Sequence, residues 1–224
     1  MIRPLINSRR MKGEVGRFWS ARARRFDSTY EFASLWDRLV HQPLRIRHDE
    51  TMAAIRTLEA PAVCDIGCGS GRQLEASLGA GARRLVGIDL SHEMVVLARA
   101  RLAAAGAGDR AEVVMGDALR WEPGERFDLV YALGVFDYEV DPRHLLRKLA
   151  QLSRNQVLAT FRRAWAFRSP FRKLSYQLRG RPIYLHTAAS IRRAMHDTGF
   201  RNVSVRRLTA GLYIVRAETA VGSA

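Results

Sequence analysis

Beyond residue 60 the chain alternates between two hydrophobic periods. Short apolar runs of strand character lie at Ala62–Ile66, Arg84–Ile88, Glu112–Met115, Phe127–Leu133 and Gln156–Phe161. Between them, apolar residues recur every three or four positions, the spacing of one helix face. The first such stretch runs from Arg72 to Leu78 and is closed by Gly79 and Gly81. The second starts at Ser91, a good N-cap, and carries Met94, Leu97, Ala98 and Leu102 up to Gly106. The third opens at Asp141-Pro142 and sets Leu145, Leu146, Leu149 and Leu152 along one side. Strands and helices alternating in this way predict an α/β fold, a doubly wound sheet with crossover helices.

After residue 161 the period changes. Residues 162–182 are basic, aromatic and irregular, and a helical pattern resumes over Ala188–Thr198 until Gly199. Two further strands, Asn202–Arg207 and Gly211–Ala217, are close enough in sequence to form a hairpin. That hairpin adds an antiparallel strand to an otherwise parallel sheet. Residues 1–60 read as helical, with Phe18, Trp19, Phe26, Tyr30, Phe32 and Trp36 spaced through them. The expectation is one structural domain: an N-terminal helical cap (1–60) on an α/β body (61–224) that carries a basic insertion at 161–186.

At 224 residues, 47% of them apolar, the chain can bury a substantial core. No run reaches the ~18 apolar residues of a membrane span. The first residues lack the ~7–15-residue apolar segment of a secretory leader. Cys64 and Cys68 are the only cysteines, with no second pair to complete a metal cage. Reduced thiols and a cytoplasmic location are therefore expected, with no metal. The net charge of +15 is uneven. Residues 1–60 carry 12 basic against 7 acidic side chains, residues 61–150 carry 11 against 13, and residues 151–224 carry 14 against 2. An excess concentrated at one end points to an anionic partner there.

The chemistry starts at DIGCGSG, residues 65–71. Glycines after a buried strand let backbone approach a ligand, and the next helix aims N–H groups into the same space. A dinucleotide site holds pyrophosphate with the spacing G-x-G-x-x-G. Here the spacing is G-x-G-x-G, and Asp65 stands in front of it. A carboxylate repels phosphate and attracts a cation. The loop thus favours an adenosine ligand whose other end is positive, and S-adenosylmethionine, with its ammonium and sulfonium, fits. Asp89 ends the second strand, where an acid can accept both hydroxyls of an adenosine ribose.

Four consecutive segments, DIGCGSG (65–71), GIDLSHEMVVLARARL (87–102), GDAL (116–119) and FDLVYALGVFDYEVDP (127–142), resemble a class I S-adenosylmethionine-dependent methyltransferase. The resemblance implies a Rossmann-like sheet of order 3-2-1-4-5-7-6 with strand 7 antiparallel. It implies S-adenosylmethionine as cofactor and S-adenosylhomocysteine as product. By the same resemblance, Asp65, Gly67 and Gly69 would surround the methionine part and Asp89 the ribose, with Cys68 and Leu90 also against the cofactor. Met94 would pack on the adenine, with Asp117 and Ala118 at its amino group. Leu133 and Gly134 would lie beside the methyl group. The stretch FDSTYEF (26–32) resembles the F-D-x-x-Y lead-in of small-molecule members, which implies Tyr30 over the methionine carboxylate.

The acceptor is expected at the carboxyl ends of the strands, near the reversal of strand order. The N/D-P-P-Y/F run of many amino-directed nucleic-acid methyltransferases is missing after strand four, where Gly134-VFDY-Tyr138 stands instead. Tyr138, Tyr184 and His186 are the catalytic candidates on position alone. The basic insertion suits an acidic or lipid-like small molecule, an anionic membrane surface or, less well, nucleic acid. The expected activity is methyl transfer to a small anionic or lipid-like acceptor, at oxygen. The alternatives are an RNA methyltransferase using the basic C-terminal third and a non-catalytic cofactor-binding module.

Overall fold

The structure is a computed structural model that describes residues 13–17, 20–21, 42–164, 183–208 and 211–219. Its centre is a seven-stranded sheet. In chain order the strands are β1 (Ala62–Ile66), β2 (Arg84–Asp89), β3 (Ala111–Met115), β4 (Phe127–Ala132), β5 (Ser153–Arg162), β6 (Phe200–Leu208) and β7 (Leu212–Thr219). The helices are α1 (Gln42–Arg56), α2 (Arg72–Gly79), α3 (His92–Ala104), α4 (Pro142–Leu152) and α5 (Ala188–Asp197). Spatial order is β3-β2-β1-β4-β5-β7-β6. The first five strands pair in parallel, and β7 runs antiparallel between β5 and β6. None of the described helices is long and apolar enough to cross a membrane.

Alternation along the strands divides the core into two layers. Cys64, Ile66, Val86, Ile88, Val130 and Ala159 join α4 and α5 on one face through Leu145, Leu149, Ile191 and Met195. Val63, Leu85, Leu129, Tyr131 and Leu158 join α1, α2 and α3 on the other through Ile55, Leu74 and Ala98. Burial of both faces explains the continuous apolar runs of β1 and β2. The helix starts follow their sequence signals. The Ser91 hydroxyl accepts from the Met94 amide at 3.2 Å, and Asp141 accepts from the Arg143 amide at 3.0 Å with Pro142 at the first turn. Thr187 and Ser190 cap α5 reciprocally.

Two strands start earlier than hydrophobicity indicates. β5 begins at Ser153, where Phe127 pairs with it ahead of a register shift, although Arg154 and Asn155 are exposed. β6 likewise begins at Phe200. In both, a buried first residue, Ser153 or Phe200, is separated from the rest of the strand by two exposed polar residues that the pairing spans.

Candidate active site

At the carboxyl end of β1 the backbone turns left-handed three times, at Gly67 (φ 75°), Gly69 (φ 53°) and Gly71 (φ 77°). Two of these positions are also too crowded for a side chain. A Cβ on Gly67 would stand 2.6 Å from Val135 Cγ2, and one on Gly71 would stand 2.9 Å from Ala98 Cβ. The loop is tied down on its β2 side. Gly67 and Cys68 donate to the Ile88 carbonyl at 2.8 and 3.1 Å, and Gly69 donates to Asp89 Oδ2 at 2.9 Å. From α3, Arg101 donates to the Ser70 carbonyl at 2.9 Å and pairs with Glu75 at 3.1 Å.

These ties shape a cavity of about 180 Å³ over the ends of β1, β2 and β4. The loop contributes Asp65, Gly67, Cys68 and Gly69; the end of β2 contributes Asp89 and Leu90; α3 contributes Met94. Leu133, Gly134, Val135 and Tyr138, after β4, close the remaining wall. Gly134 has φ 90° and donates to Thr160 Oγ1 at 2.9 Å, which fixes the wall to β5.

The wall also contains residues that no motif marks. Leu44 and Arg47 reach it from α1, and Val15 and Gly16 from the N-terminal helical turn. An Arg47 nitrogen lies 3.1 Å from where a Gly134 Cβ would be, and a Gly16 Cβ would meet the Leu90 carbonyl at 3.1 Å. The Ser20 and Ser91 hydroxyls bond at 2.9 Å, and His48 bonds to Gln73 at 3.1 Å, so both N-terminal elements are fastened beside the cavity. The helical period of residues 44–56 reveals a buried face, but it carries no signal of where that helix docks.

Other expected site residues lie outside the wall. Asp117 accepts from the Leu119 amide at 3.0 Å and its carbonyl takes the Arg120 amide at 2.9 Å, which makes it a turn former after β3, with Ala118 inside that turn. Tyr184 and His186 sit beside the end of β5 instead of in the wall. Tyr30 and residues 165–182 lie outside the described residues.

The glycine-loop side of the cavity is acidic, although Arg47 and Arg72 also line the wall. Burial and the nearby Asp89 carboxylate push the Asp65 pKa well above the ordinary carboxylate range, with no hydrogen bond offsetting them. Asp89 is raised by burial as well, against the amides of Ser91, Gly69 and Leu90. Burial also raises the Cys68 thiol, which keeps it protonated and unreactive. A buried carboxylate, Asp65, beside a half-buried one, Asp89, fits a ligand that brings a cation to the glycine loop.

Sheet order, antiparallel β7 and an acid-led glycine loop together define a class I S-adenosylmethionine-dependent methyltransferase. Comparison with known proteins agrees: a model of the methyltransferase domain matches residues 18–205, and the chain belongs to that family. The ubiquinone biosynthesis O-methyltransferase of Thiobacillus denitrificans is 34% identical over 140 residues, 62% of this chain and 57% of that protein. A tRNA U34 carboxymethyltransferase of a Shewanella species is 35% identical over 105 residues, 46% of this chain and 32% of its own. The chain thus spans little more than half the length of the first relative and about a third of the second.

Among solved structures, magnesium protoporphyrin IX methyltransferase from Synechocystis, with S-adenosylhomocysteine bound, aligns with a TM-score of 0.72 at 22% identity. That alignment covers 93% of this chain and all of that one. The cyclase SpnF aligns with a TM-score of 0.76 at 14% identity, covering 95% of this chain and 98% of its own. At such identities the likeness is one of fold, and the reaction has to be argued from the site.

Proposed function

We propose that the cavity binds S-adenosylmethionine through Asp65, Gly67, Cys68, Gly69, Asp89, Leu90 and Met94, and that the chain methylates an oxygen of a small anionic or lipid-like acceptor. The observation that carries this reading is Asp65: a carboxylate buried in the cavity wall, its pKa raised by that burial and by Asp89, and supplied with no compensating donor among the described residues. The loop amides and Asp65 hold the methionine end, and Asp89 retains a lone pair on each oxygen for a ribose hydroxyl. Met94 and Leu90 cover the base. When bound, the cofactor supplies a methyl group already activated by its sulfonium. The protein's own work is then alignment and exclusion of water. Leu133, Gly134, Val135 and Tyr138 form the apolar wall against which the acceptor oxygen is positioned. Tyr30, Asp117 and Ala118 keep their proposed cofactor roles on resemblance alone. Two free, buried thiols suit a cytoplasmic location.

The O-methyltransferase relatives support an oxygen acceptor, and the basic C-terminal third supports an anionic one. A second reading, transfer to RNA, is favoured by the tRNA-directed relatives together with that same charge. One experiment separates the two. Methyl-labelled S-adenosylmethionine is incubated with the protein and a cell extract, which is then divided into organic-soluble, aqueous and RNA fractions. Label in the small-molecule fractions is expected. Label confined to RNA would replace the first reading with the second. Label that persists in Asp89→Ala would remove the ribose assignment.

A further inference from the structure

Tyr138 belongs to a one-turn 3-10 helix, Phe136–Tyr138, and the residue before it is a buried acid. Asp137 Oδ2 accepts from Arg162 Nε at 2.9 Å and from Nη2 at 2.5 Å. Asp137 Oδ1 is buried without a partner among the described residues, and so is His186 Nε2. The surroundings lock these groups together. The Tyr184 amide donates to the Asp137 carbonyl at 2.9 Å, the His186 amide to the Arg162 carbonyl at 2.8 Å, and the Ala164 amide to the His186 carbonyl at 2.9 Å. Phe161 stacks on Phe136 at 4.3 Å and meets the His186 ring edge-on at 5.2 Å.

Two orphaned polar atoms in one well-packed cluster require an explanation. A purely structural clamp would be better served by apolar side chains of the same size. We propose that Asp137, Arg162 and His186 are positioning residues for Tyr138, and that the neutral imidazole is the form that holds the 136–138 turn against the cavity. With His186 neutral, Arg162 has Asp137 to itself. An imidazolium would be drawn to the unused Asp137 Oδ1 and so pull on the turn that carries Tyr138. Burial lowers the His186 pKa, opposed by Asp137 and the Phe136 carbonyl, so the neutral form prevails at neutral pH. The other charged or titratable groups around the cluster are Arg163 on the continuation of β5, Tyr184 with Glu139 near it, and Tyr213 of β7, over which Arg163 lies at 5.8 Å.

The inference rests on the methyl-transfer reading, because Tyr138 matters through the cavity it lines. Its test uses the full chain with 3-fluorotyrosine at position 138. The fluorine resonance and the affinity for S-adenosylhomocysteine are followed over about pH 5 to 8, where an imidazole titrates. The resonance should show one step with a midpoint below the ordinary histidine value of ~6.5. Affinity should carry a matching step, weaker on the acid side on the order of fivefold, on top of the dependence that Asp65 and Asp89 impose. In His186→Gln the resonance should be flat, and the affinity should keep only the part due to the two acids. In Asp137→Asn the midpoint should move lower still, because the carboxylate that favours the imidazolium is gone. A resonance indifferent to pH, or a resonance step that survives in His186→Gln, would overturn the proposal. Absence of S-adenosylhomocysteine binding at every pH would instead defeat the cofactor reading, and the fluorine titration would still decide the clamp.

Discussion

Gly71 and Gly106 both have left-handed backbone, φ 77° and φ 67°, but they stand in different surroundings. A Cβ at Gly106 meets open space, whereas one at Gly71 meets Ala98 Cβ at 2.9 Å and Cα at 3.0 Å. Gly106→Ala should therefore lose only the left-handed penalty, about 1–2 kcal/mol. Gly71→Ala should lose that plus an overpacking cost of about 1–3 kcal/mol. Urea unfolding of the two variants checks this; equal losses would mean that α3 simply moves aside. The acids give a second prediction at this scale. A carboxyl whose folded pKa is raised lends stability below its unfolded pKa of ~4, and that contribution is lost as pH rises through the raised value. Asp65 and Asp89 should thus make the ligand-free protein less stable as pH climbs from that point. A bound cation reverses the sign, since it favours both carboxylates ionised. Binding of S-adenosylmethionine should release protons, visible as a heat that varies with the ionisation enthalpy of the buffer. Buffer-independent heat throughout the acid range would show that the two acids do not face the cation.

At the scale of elements, Ser91 couples α3 to the N-terminal segment, because its hydroxyl serves both the Met94 amide and the Ser20 hydroxyl. Ser91→Ala should lower stability by about 0.5–2 kcal/mol, the usual cost of losing an N-cap, and a denaturation midpoint that does not move would show the cap to be redundant. The ease of reading such elements from sequence has a physical cause. β1, β2 and β4 are buried on both faces, so their apolar runs coincide with their hydrogen-bonded length. β5 and β6 each pass through two exposed polar residues near their start, so only the pairing of Ser153 with Phe127 and of Phe200 with Thr219 reveals where they begin. The part of the cavity wall formed by the glycine loop and the end of β2 is legible for a similar reason: its glycines and acids follow one another along β1, α2 and β2. Arg47, Gly16 and Val15 are not, since they arrive from elements distant in sequence. Their only mark is geometric closeness to Gly134 and Leu90. Position along the chain makes His186 a catalytic candidate, and the fold sets it beside the end of β5, outside the cavity wall, through the parallel bridge to Arg163.

For the whole molecule the leading physical fact is a charge of +15 borne largely beyond residue 150. Within the described part of that region, Arg192 and Arg193 on α5 and Arg201 and Arg207 on β6 are exposed, with no ion pair among the described residues. The two acids nearby are already engaged, Asp197 with Arg143 at 3.0 Å and Glu218 with the Asn202 amide at 2.6 Å. Such arginines concentrate counterions, so affinity for a polyanion should fall steeply with salt. Retention of the unmodified protein on heparin or bulk RNA should show this fall. Replacing these four arginines with glutamine should lower the logarithmic salt slope by up to about 0.9 per phosphate no longer neutralised on a duplex, and by about 0.7 on a single strand. Affinity for S-adenosylhomocysteine should not change, since none of the four lines the cavity. An unchanged slope would move the counterion release to the arginines of residues 162–181. A slope near zero in the unmodified protein would count against RNA as the acceptor and leave the small anionic molecule as the partner the charge serves.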